Sequence, residues 1–263
     1  MPTTSASDGT SLHYRVLGEG PRTVVLVHGW MVSGAVWNAM LEKFDLTGLR
    51  LVVPDGRGTG QSGKPTGGYS LEQLAQDVLA VADAAGAKRF TVVGHSMGGQ
   101  LAQWVAAQAP ERVDALMLVN PVPAAGLPLP PDAAGLFRTS AGNREKQATI
   151  VNLSCKILPP DTLETMLKDA ANTCAPAIEN IFDAWTKGGF ADKLSAITAP
   201  TLVISTDDAF LPPAFLREAV VNPIRRARLA YLPGPGHYPQ VERPVETAAV
   251  IAAFLAGSAP VQA

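Results

Sequence analysis

Short apolar runs alternate with longer amphipathic stretches along most of this chain. Residues 24–27 read Val-Val-Leu-Val, and an unbroken apolar run of this kind is typical of a strand that is covered on both faces. Clusters of Gly and Pro separate several of the runs and predict turns. The pattern predicts strands over residues 12–17, 23–27, 51–53, 90–93, 115–119, 201–204 and 227–232.

Helical periodicity fills the intervals between several of these strands. Ser70 lies three residues before Gln73, a capping-box spacing, and apolar residues recur at helical spacing from there towards Gly86. Further helices are predicted over residues 98–109 and 245–255. Strands that alternate with helices in this way favour a mostly parallel sheet with helices on both faces.

The alternation is interrupted between residues 121 and 190. A Pro-rich loop is followed there by helix-like segments over residues 163–171 and 177–185, with no strand candidate. An insertion of this length inside an α/β sheet is best interpreted as a cap over the sheet. We therefore expect a core domain formed by residues 1–120 and 191–263, and a helical cap formed by residues 121–190.

Composition narrows the class of protein. The chain has 263 residues, of which 47% are hydrophobic and 17% charged, and its net charge is −2. These values exclude a disordered chain and a coiled coil, and the lack of a basic block argues against a nucleic-acid partner. No run approaches 18 apolar residues, so no membrane span or membrane partner is expected, and the first five residues do not resemble a secretory signal.

The chain has two cysteines, Cys155 and Cys174, which form no CxxC pair. We expect reduced, buried thiols and a cytoplasmic protein; the alternative is a single disulfide.

The strongest chemical signal is the segment Gly-His-Ser-Met-Gly-Gly at residues 94–99. It fits the pattern G-x-S-x-G and lies between a predicted strand and a predicted helix, which is the context this motif requires. A sharp strand-to-helix turn strains its central residue, and glycine at 94 and 98 removes the side chains that would collide. Ser96 is therefore predicted to project above the sheet, with the N–H of Met97 at the start of the helix beside it.

Four segments follow one another along the chain: His28-Gly29-Trp30, the D-x-R-G-x-G-x-S loop from Asp55 to Ser62, residues 94–99, and Gly236-His237 followed by Glu242-Arg243-Pro244. Taken in order, they resemble the α/β-hydrolase superfamily over nearly the whole chain. The resemblance implies an α/β-hydrolase fold, with a mostly parallel eight-stranded sheet flanked by helices and a helical cap inserted after strand 6. The first and third segments are also similar to a branch of small-cap esterases and haloperoxidase or perhydrolase-like enzymes. We expect the side chains of the second segment, Asp55, Arg57 and Ser62 among them, to stabilise a loop.

A serine hydroxyl needs a neighbouring base to remove its proton. We favour His237, because it follows a Pro- and Gly-rich loop after the last strand, which should provide flexibility and exposure, and because the order Ser, acid, His matches the hydrolase order. His13 lies on an early strand and is predicted to be at the surface. His95 should point away from Ser96, and the resemblance gives His28 a role in supporting its loop.

The acid that orients the histidine should, by resemblance, follow the strand that ends at Ile204. Asp208 is favoured and Asp207 remains open, because the segment has Thr206 where the family usually has glycine and its spacing differs by one residue. The end of the preceding strand, at residues 119–121, offers no carboxylate.

The oxyanion that forms during attack needs two N–H donors. Met97 is one, and the resemblance makes Trp30 the other, with its ring as a wall of the acyl pocket; Trp37 is expected in the core. Apolar cap residues are candidates for the rest of the pocket: Phe137, Leu153, Met166, Phe182 and Trp185.

These features predict a serine hydrolase, without cofactor or metal, that cleaves a small to medium apolar carboxylic ester, lactone or thioester through an acyl-enzyme on Ser96. The alternatives on the same three residues are hydrolysis of a carbon–carbon bond and perhydrolysis. A ligand-binding receptor that retains slow chemistry is the alternative from another class. The substrate itself and the oligomeric state are not readable from the sequence.

Overall fold

A computed structural model describes residues 2–258. Residue 1 and residues 259–263, which the expected core domain includes, lie outside the described residues. The strands are β1 (Thr3–Ser5), β2 (Ser11–Leu17), β3 (Arg22–Val27), β4 (Leu49–Pro54), β5 (Phe90–His95), β6 (Val113–Val119), β7 (Thr201–Ser205) and β8 (Ala227–Tyr231).

All eight strands belong to one sheet, in the order β1-β2-β4-β3-β5-β6-β7-β8. Strand β2 is antiparallel to both of its neighbours, and every other neighbouring pair is parallel. The predicted mostly parallel, eight-stranded sheet is therefore confirmed. The pattern missed only β1, because Thr3-Thr4-Ser5 is polar and largely exposed and offers no apolar alternation.

The helices include those that the periodicity predicts. The Ser70 side chain accepts a hydrogen bond from the N–H of Gln73 at 3.2 Å, as the cap spacing indicates. The helices are α1 (Asn38–Leu41), α2 (Leu71–Ala84), α3 (Met97–Gln108), α4 (Pro131–Arg138), α5 (Arg144–Ser154), α6 (Pro160–Ala171), α7 (Ala175–Lys187), α8 (Pro213–Leu216), α9 (Pro239–Glu242) and α10 (Pro244–Gly257).

Helices α4 to α7 all lie between β6 and β7. The sequence predicted α6 and α7, but not α4 or α5. Helix α4 begins inside a Pro-rich run, and only four residues of α5 are buried, so neither has a wide apolar face. The indole Nε1 of Trp30 donates to the carbonyl of Ile178 at 2.9 Å, and the Asp169 carboxylate accepts from the N–H and hydroxyl of Ser33. These polar contacts attach the cap helices to the loop after β3.

The loop after β4 is held by buried polar side chains. Arg57 is fully buried and pairs with Asp77 and Asp8. The Asp55 carboxylate accepts from the N–H of Gly34, and His13 Nδ1 lies 2.9 Å from it. The prediction of a surface His13 was therefore wrong, because its ring is buried as the partner of Asp55.

In the described part of the chain, no helix is long and apolar enough to cross a membrane. Cys155 and Cys174 are both free thiols, and each is half-buried rather than fully buried.

Candidate active site

The turn between β5 and α3 holds Ser96 in a strained backbone conformation, with φ 55° and ψ −122°. A Cβ on Gly94 would lie 2.2 Å from the carbonyl oxygen of Gly98, and a Cβ on Gly98 would lie 2.3 Å from the carbonyl oxygen of His28. Only glycine lets the backbone pass this closely. A non-glycine residue in this φ/ψ region costs about 1–3 kcal/mol and persists only when its surroundings impose it.

Two backbone N–H groups near this turn are free to bind an oxygen. Within residues 2–258, the N–H groups of Trp30 and Met97 donate to no protein acceptor. Met97 is the first residue of α3, where the helix dipole favours negative charge. Trp30 lies in the loop after β3, and the glycine before it is packed against Ser96: a Cβ on Gly29 would lie 3.1 Å from the Ser96 Cβ.

His237 and Asp208 form a buried pair. His237 Nδ1 lies 2.5 Å from Asp208 Oδ2, and Asp208 Oδ1 accepts from the N–H of Phe210 at 2.8 Å. Burial raises the pKa of Asp208, but the charge and hydrogen bond of His237 and the N–H groups of Phe210 and Leu211 outweigh burial and leave this pKa below its ordinary value. Asp208 is therefore ionised at neutral pH, which keeps a proton on His237 Nδ1 and leaves Nε2 as the acceptor.

Asp207 has different partners. Its carboxylate accepts from the Tyr231 hydroxyl and from the N–H of Gly234, the latter at 3.0 Å. These contacts hold the loop after β8 and lower the pKa of Asp207. Of the two carboxylates that the sequence left open, the structure brings Asp208 to His237.

Ser96 and His237 line one apolar cavity beneath the cap. Among the described residues no hydrogen bond joins the Ser96 hydroxyl to His237, and such contacts are commonly long before substrate binds. The other lining residues are Trp30, Val122, Leu127, Leu129, Phe137, Ile150, Ser154, Trp185, Phe210, Leu211 and Tyr238.

The candidate pocket residues of the cap divide into three groups. Phe137 and Trp185 line the cavity. Phe182 stands behind that wall, with its ring 6.2 Å from Trp30 and 5.1 Å from Trp185. Met166 is buried elsewhere, and Leu153 does not line the cavity, because it occupies the outer face of α5 and is 55% exposed.

The sequence of this chain matches the profile of a known protein family. A sequence profile described as alpha/beta hydrolase fold matches residues 22–153. The chain belongs to the α/β-hydrolase family. Its sequence is 29% identical to a non-heme haloperoxidase of Rhodococcus erythropolis over 255 residues, which cover 90% of this chain and 93% of that protein.

Solved structures agree with the family assignment. An esterase from Exiguobacterium antarcticum superposes with a TM-score of 0.89 over 97% of this chain and 98% of its own; at 20% identity this supports the fold alone. The enol-lactonase from Burkholderia xenovorans LB400 is 26% identical, with a TM-score of 0.85 over 97% of this chain and all of its own. The chain is therefore an enzyme of the α/β-hydrolase superfamily, on its haloperoxidase and esterase branch.

The other histidines of this α/β-hydrolase support the site. His28 Nδ1 donates to the carbonyl of Gly29, and its Nε2 accepts from the N–H of Gly56 at 2.8 Å. His95 is fully buried, and burial together with the nearby His237 holds its pKa well below the ordinary value. Its Nε2 donates to the carbonyl of His237 at 2.8 Å. His95 is thus a neutral donor that holds the backbone of His237.

The loop after β8 that carries His237, here called the histidine loop, is held by several buried hydrogen bonds that the sequence did not predict. Asn120, in a left-handed conformation with φ 40°, donates to Thr206 and to the carbonyls of Gly236 and His237. The Thr206 hydroxyl donates to the carbonyl of Gly236 at 2.6 Å. The exposure expected of His237 is not present, since its exposed fraction is only 8%. The one available signal was Thr206, which replaces the usual glycine.

The described part of the chain contains no group of three or more His, Cys, Asp or Glu side chains arranged to hold a metal ion.

Proposed function

We propose that this α/β-hydrolase is a serine hydrolase that cleaves a carboxylic ester, lactone or thioester of a small to medium apolar substrate. The observation that carries the proposal is the cavity shared by Ser96 and His237, with Asp208 buried behind the imidazole. The likeness to the enol-lactonase of Burkholderia xenovorans LB400, at 26% identity, supports the same class of reaction. The cavity walls are mainly aromatic and aliphatic side chains, which favours an apolar substrate.

In the proposed first step, the Ser96 hydroxyl attacks the substrate carbonyl while His237 Nε2 takes its proton. Asp208 keeps the Nδ1 proton in place and stabilises the imidazolium. The N–H groups of Trp30 and Met97 bind the oxygen that becomes negative. His237 then gives its proton to the leaving alkoxide or thiolate, and an ester of Ser96 remains.

In the second step, water attacks the acyl group on Ser96. His237 Nε2 removes a proton from this water and returns it to the Ser96 oxygen, which releases the carboxylic acid. The cap, residues 121–190, supplies Phe137 and Trp185 as apolar walls. We also infer a cytoplasmic location, which the two free thiols support.

The second candidate activity is perhydrolysis, which the likeness to a non-heme haloperoxidase favours. Hydrogen peroxide would then replace water in the second step and release a peracid from the same Ser96 ester. Peracid formation from acetate and hydrogen peroxide, measured with the native protein and the Ser96→Ala variant, tests this activity.

The main test replaces Ser96 with alanine and measures hydrolysis of p-nitrophenyl acetate and butyrate. We expect Ser96→Ala to lose turnover and labelling by a fluorophosphonate, whereas Ser7→Ala, a change at an exposed serine, keeps both. Mass spectrometry of the labelled native protein should place the adduct on Ser96. Turnover or labelling retained by Ser96→Ala contradicts the proposal. Labelling without multiple turnovers indicates the receptor alternative.

A further inference from the structure

One buried carboxylate binds both the histidine loop and the cap. Glu242 Oε2 accepts from the N–H groups of Lys156, Ile157 and Gly236 at 2.8, 2.9 and 2.9 Å. Its other oxygen accepts from the N–H of Tyr238 at 3.1 Å. The donors at 236 and 238 flank His237, and those at 156 and 157 follow cap helix α5.

Glu242 is 7% exposed, and no cation pairs with it among the described residues. A buried ionised carboxylate is costly unless hydrogen bonds compensate for its lost hydration. Here four backbone N–H groups provide that compensation. The charge therefore holds the two segments together, because withdrawal of either segment would leave a buried anion with fewer donors.

Two further contacts bring the end of α5 against the loop that carries His237. The N–H of His237 donates to the carbonyl of Ser154, the last residue of α5, at 2.7 Å. A Cβ on Gly236 would lie 2.4 Å from that same carbonyl oxygen. The end of α5 is thus in direct contact with the backbone of the histidine, and Ser154 also lines the cavity.

We propose that Glu242 is a positioning residue that couples two features of the structure. These are the contact between the α5 end of the cap and the loop that carries His237, and the position of the His237 imidazole. It touches no reacting atom and acts through the backbone on either side of His237. A cap whose α5 end lifts would withdraw two donors from Glu242 and loosen the loop that carries the imidazole. This inference rests on the proposed function, in which His237 is the base.

The test replaces Glu242 with glutamine, which keeps the shape but removes the charge and turns an NH₂ group towards backbone donors. Glu246→Gln is the matched control, since Glu246 lies on the neighbouring helix and is exposed, and within residues 2–258 its carboxylate pairs with Arg243 alone. Turnover is measured per Ser96 labelled to completion by a fluorophosphonate, so unfolded molecules are not counted. Hydrogen exchange is followed over residues 155–157 and 236–238.

We expect Glu242→Gln to lower kcat per labelled site about 10- to 100-fold, since a small misplacement of a catalytic group has effects of this size. KM should stay within about twofold, because no side chain of the cavity that contacts substrate changes. Exchange should accelerate in both segments, and Glu246→Gln should match the native protein in each measurement. A merely structural role would lower stability and the number of labelled sites but leave kcat per site unchanged.

Native kcat per site in Glu242→Gln, or faster exchange in only one segment, overturns the inference. The Ser96→Ala variant separates the two proposals. If it is inactive while Glu242→Gln has native kcat, the proposed function stands and the coupling fails. If Ser96→Ala stays active, the proposed function fails, and hydrogen exchange alone decides whether Glu242 joins the two segments.

Discussion

Replacing Asp208 with asparagine tests the pairing on which the chemistry depends. Asp208 Oδ1 accepts from the N–H of Phe210, and Oδ2 faces His237 Nδ1 at 2.5 Å. In the variant, the amide oxygen can keep the Phe210 contact only by turning the NH₂ group towards Nδ1. The imidazole must then carry its proton on Nε2, the nitrogen that should accept the proton of Ser96.

The magnitude follows from this change of tautomer. In a serine protease, the corresponding change from acid to amide lowers kcat by about 10⁴, which equals about 5.5 kcal/mol in activation free energy. We expect a similar fall here, because the Asp208 side chain has no solvent exposure through which water could take its place. The KM for a small ester should change little, since Asp208 does not line the cavity.

The neighbouring carboxylate provides the control. Asp207→Asn makes the same chemical change one residue earlier but leaves His237 with its partner. Initial rates with p-nitrophenyl butyrate should place Asp207→Asn within about threefold of the native kcat and Asp208→Asn about 10⁴ below it. Equal effects in the two variants, or near-native kcat in Asp208→Asn, would refute the reasoning.

The acid limb of the pH profile follows from the same pair. The pKa of Asp208 lies below its ordinary value of 3.8, so its contribution to stability is complete above that pH and is lost as pH falls through the lowered pKa. The loss of folding stability that comes from protonation of Asp208 is therefore expected only below about pH 3.8, in urea unfolding measured across pH. A fall in the free energy of unfolding that begins above about pH 5 and is absent from Asp208→Asn would contradict this expectation.

Three further outcomes are expected. Gly98→Ala should destabilise the fold by about 3 kcal/mol in urea unfolding, since its Cβ would meet the backbone of His28 at 2.3 Å. The control Gly135→Ala, whose Cβ meets nothing within 4 Å, should be neutral or stabilising. Equal stabilities of the two variants would contradict this. Trp30 lines the Ser96 cavity and a second apolar cavity beyond it. Trp30→Leu should therefore raise the ratio of kcat/KM for octanoate esters to kcat/KM for acetate esters. An unchanged ratio would show that Trp30 does not limit the length of the acyl group. Because the pKa of His95 is lowered in the folded state, the free energy of unfolding should fall by up to about 1.4 kcal/mol per pH unit below about pH 6.5. His95→Asn should reduce this dependence on pH. The native pH dependence in the variant would show that another group causes it.

Most of the fold could be predicted because its central strands, β3 to β7, are buried on both faces. The apolar runs at 24–27 and 115–119 have no alternative to the interior, and the structure places them in β3 and β6. Helix α4 and strand β1 lack such runs, and their positions depend on what they pack against. The local pattern of apolar and polar residues therefore could not predict either element.

The candidate site divides in the same way. The turn at Ser96 could be predicted because the steric requirement for Gly94 and Gly98 is local. The choice between Asp207 and Asp208 could not, since adjacent residues project in different directions and only the loop path decides which one meets His237. Leu153 and His13 show the same limit, because apolar character did not place one in the cavity and a polar ring did not keep the other at the surface.

The sequence by itself determined most of the strands and helices, the strained serine turn and the place of the histidine after the last strand, because each of these depends on residues that are close together in the chain. Only the tertiary structure decided the partner of His237, the walls of the cavity and the junction at Glu242. Each of those contacts joins segments separated by tens of residues, and its geometry exists only after the sheet has brought the loops to one edge.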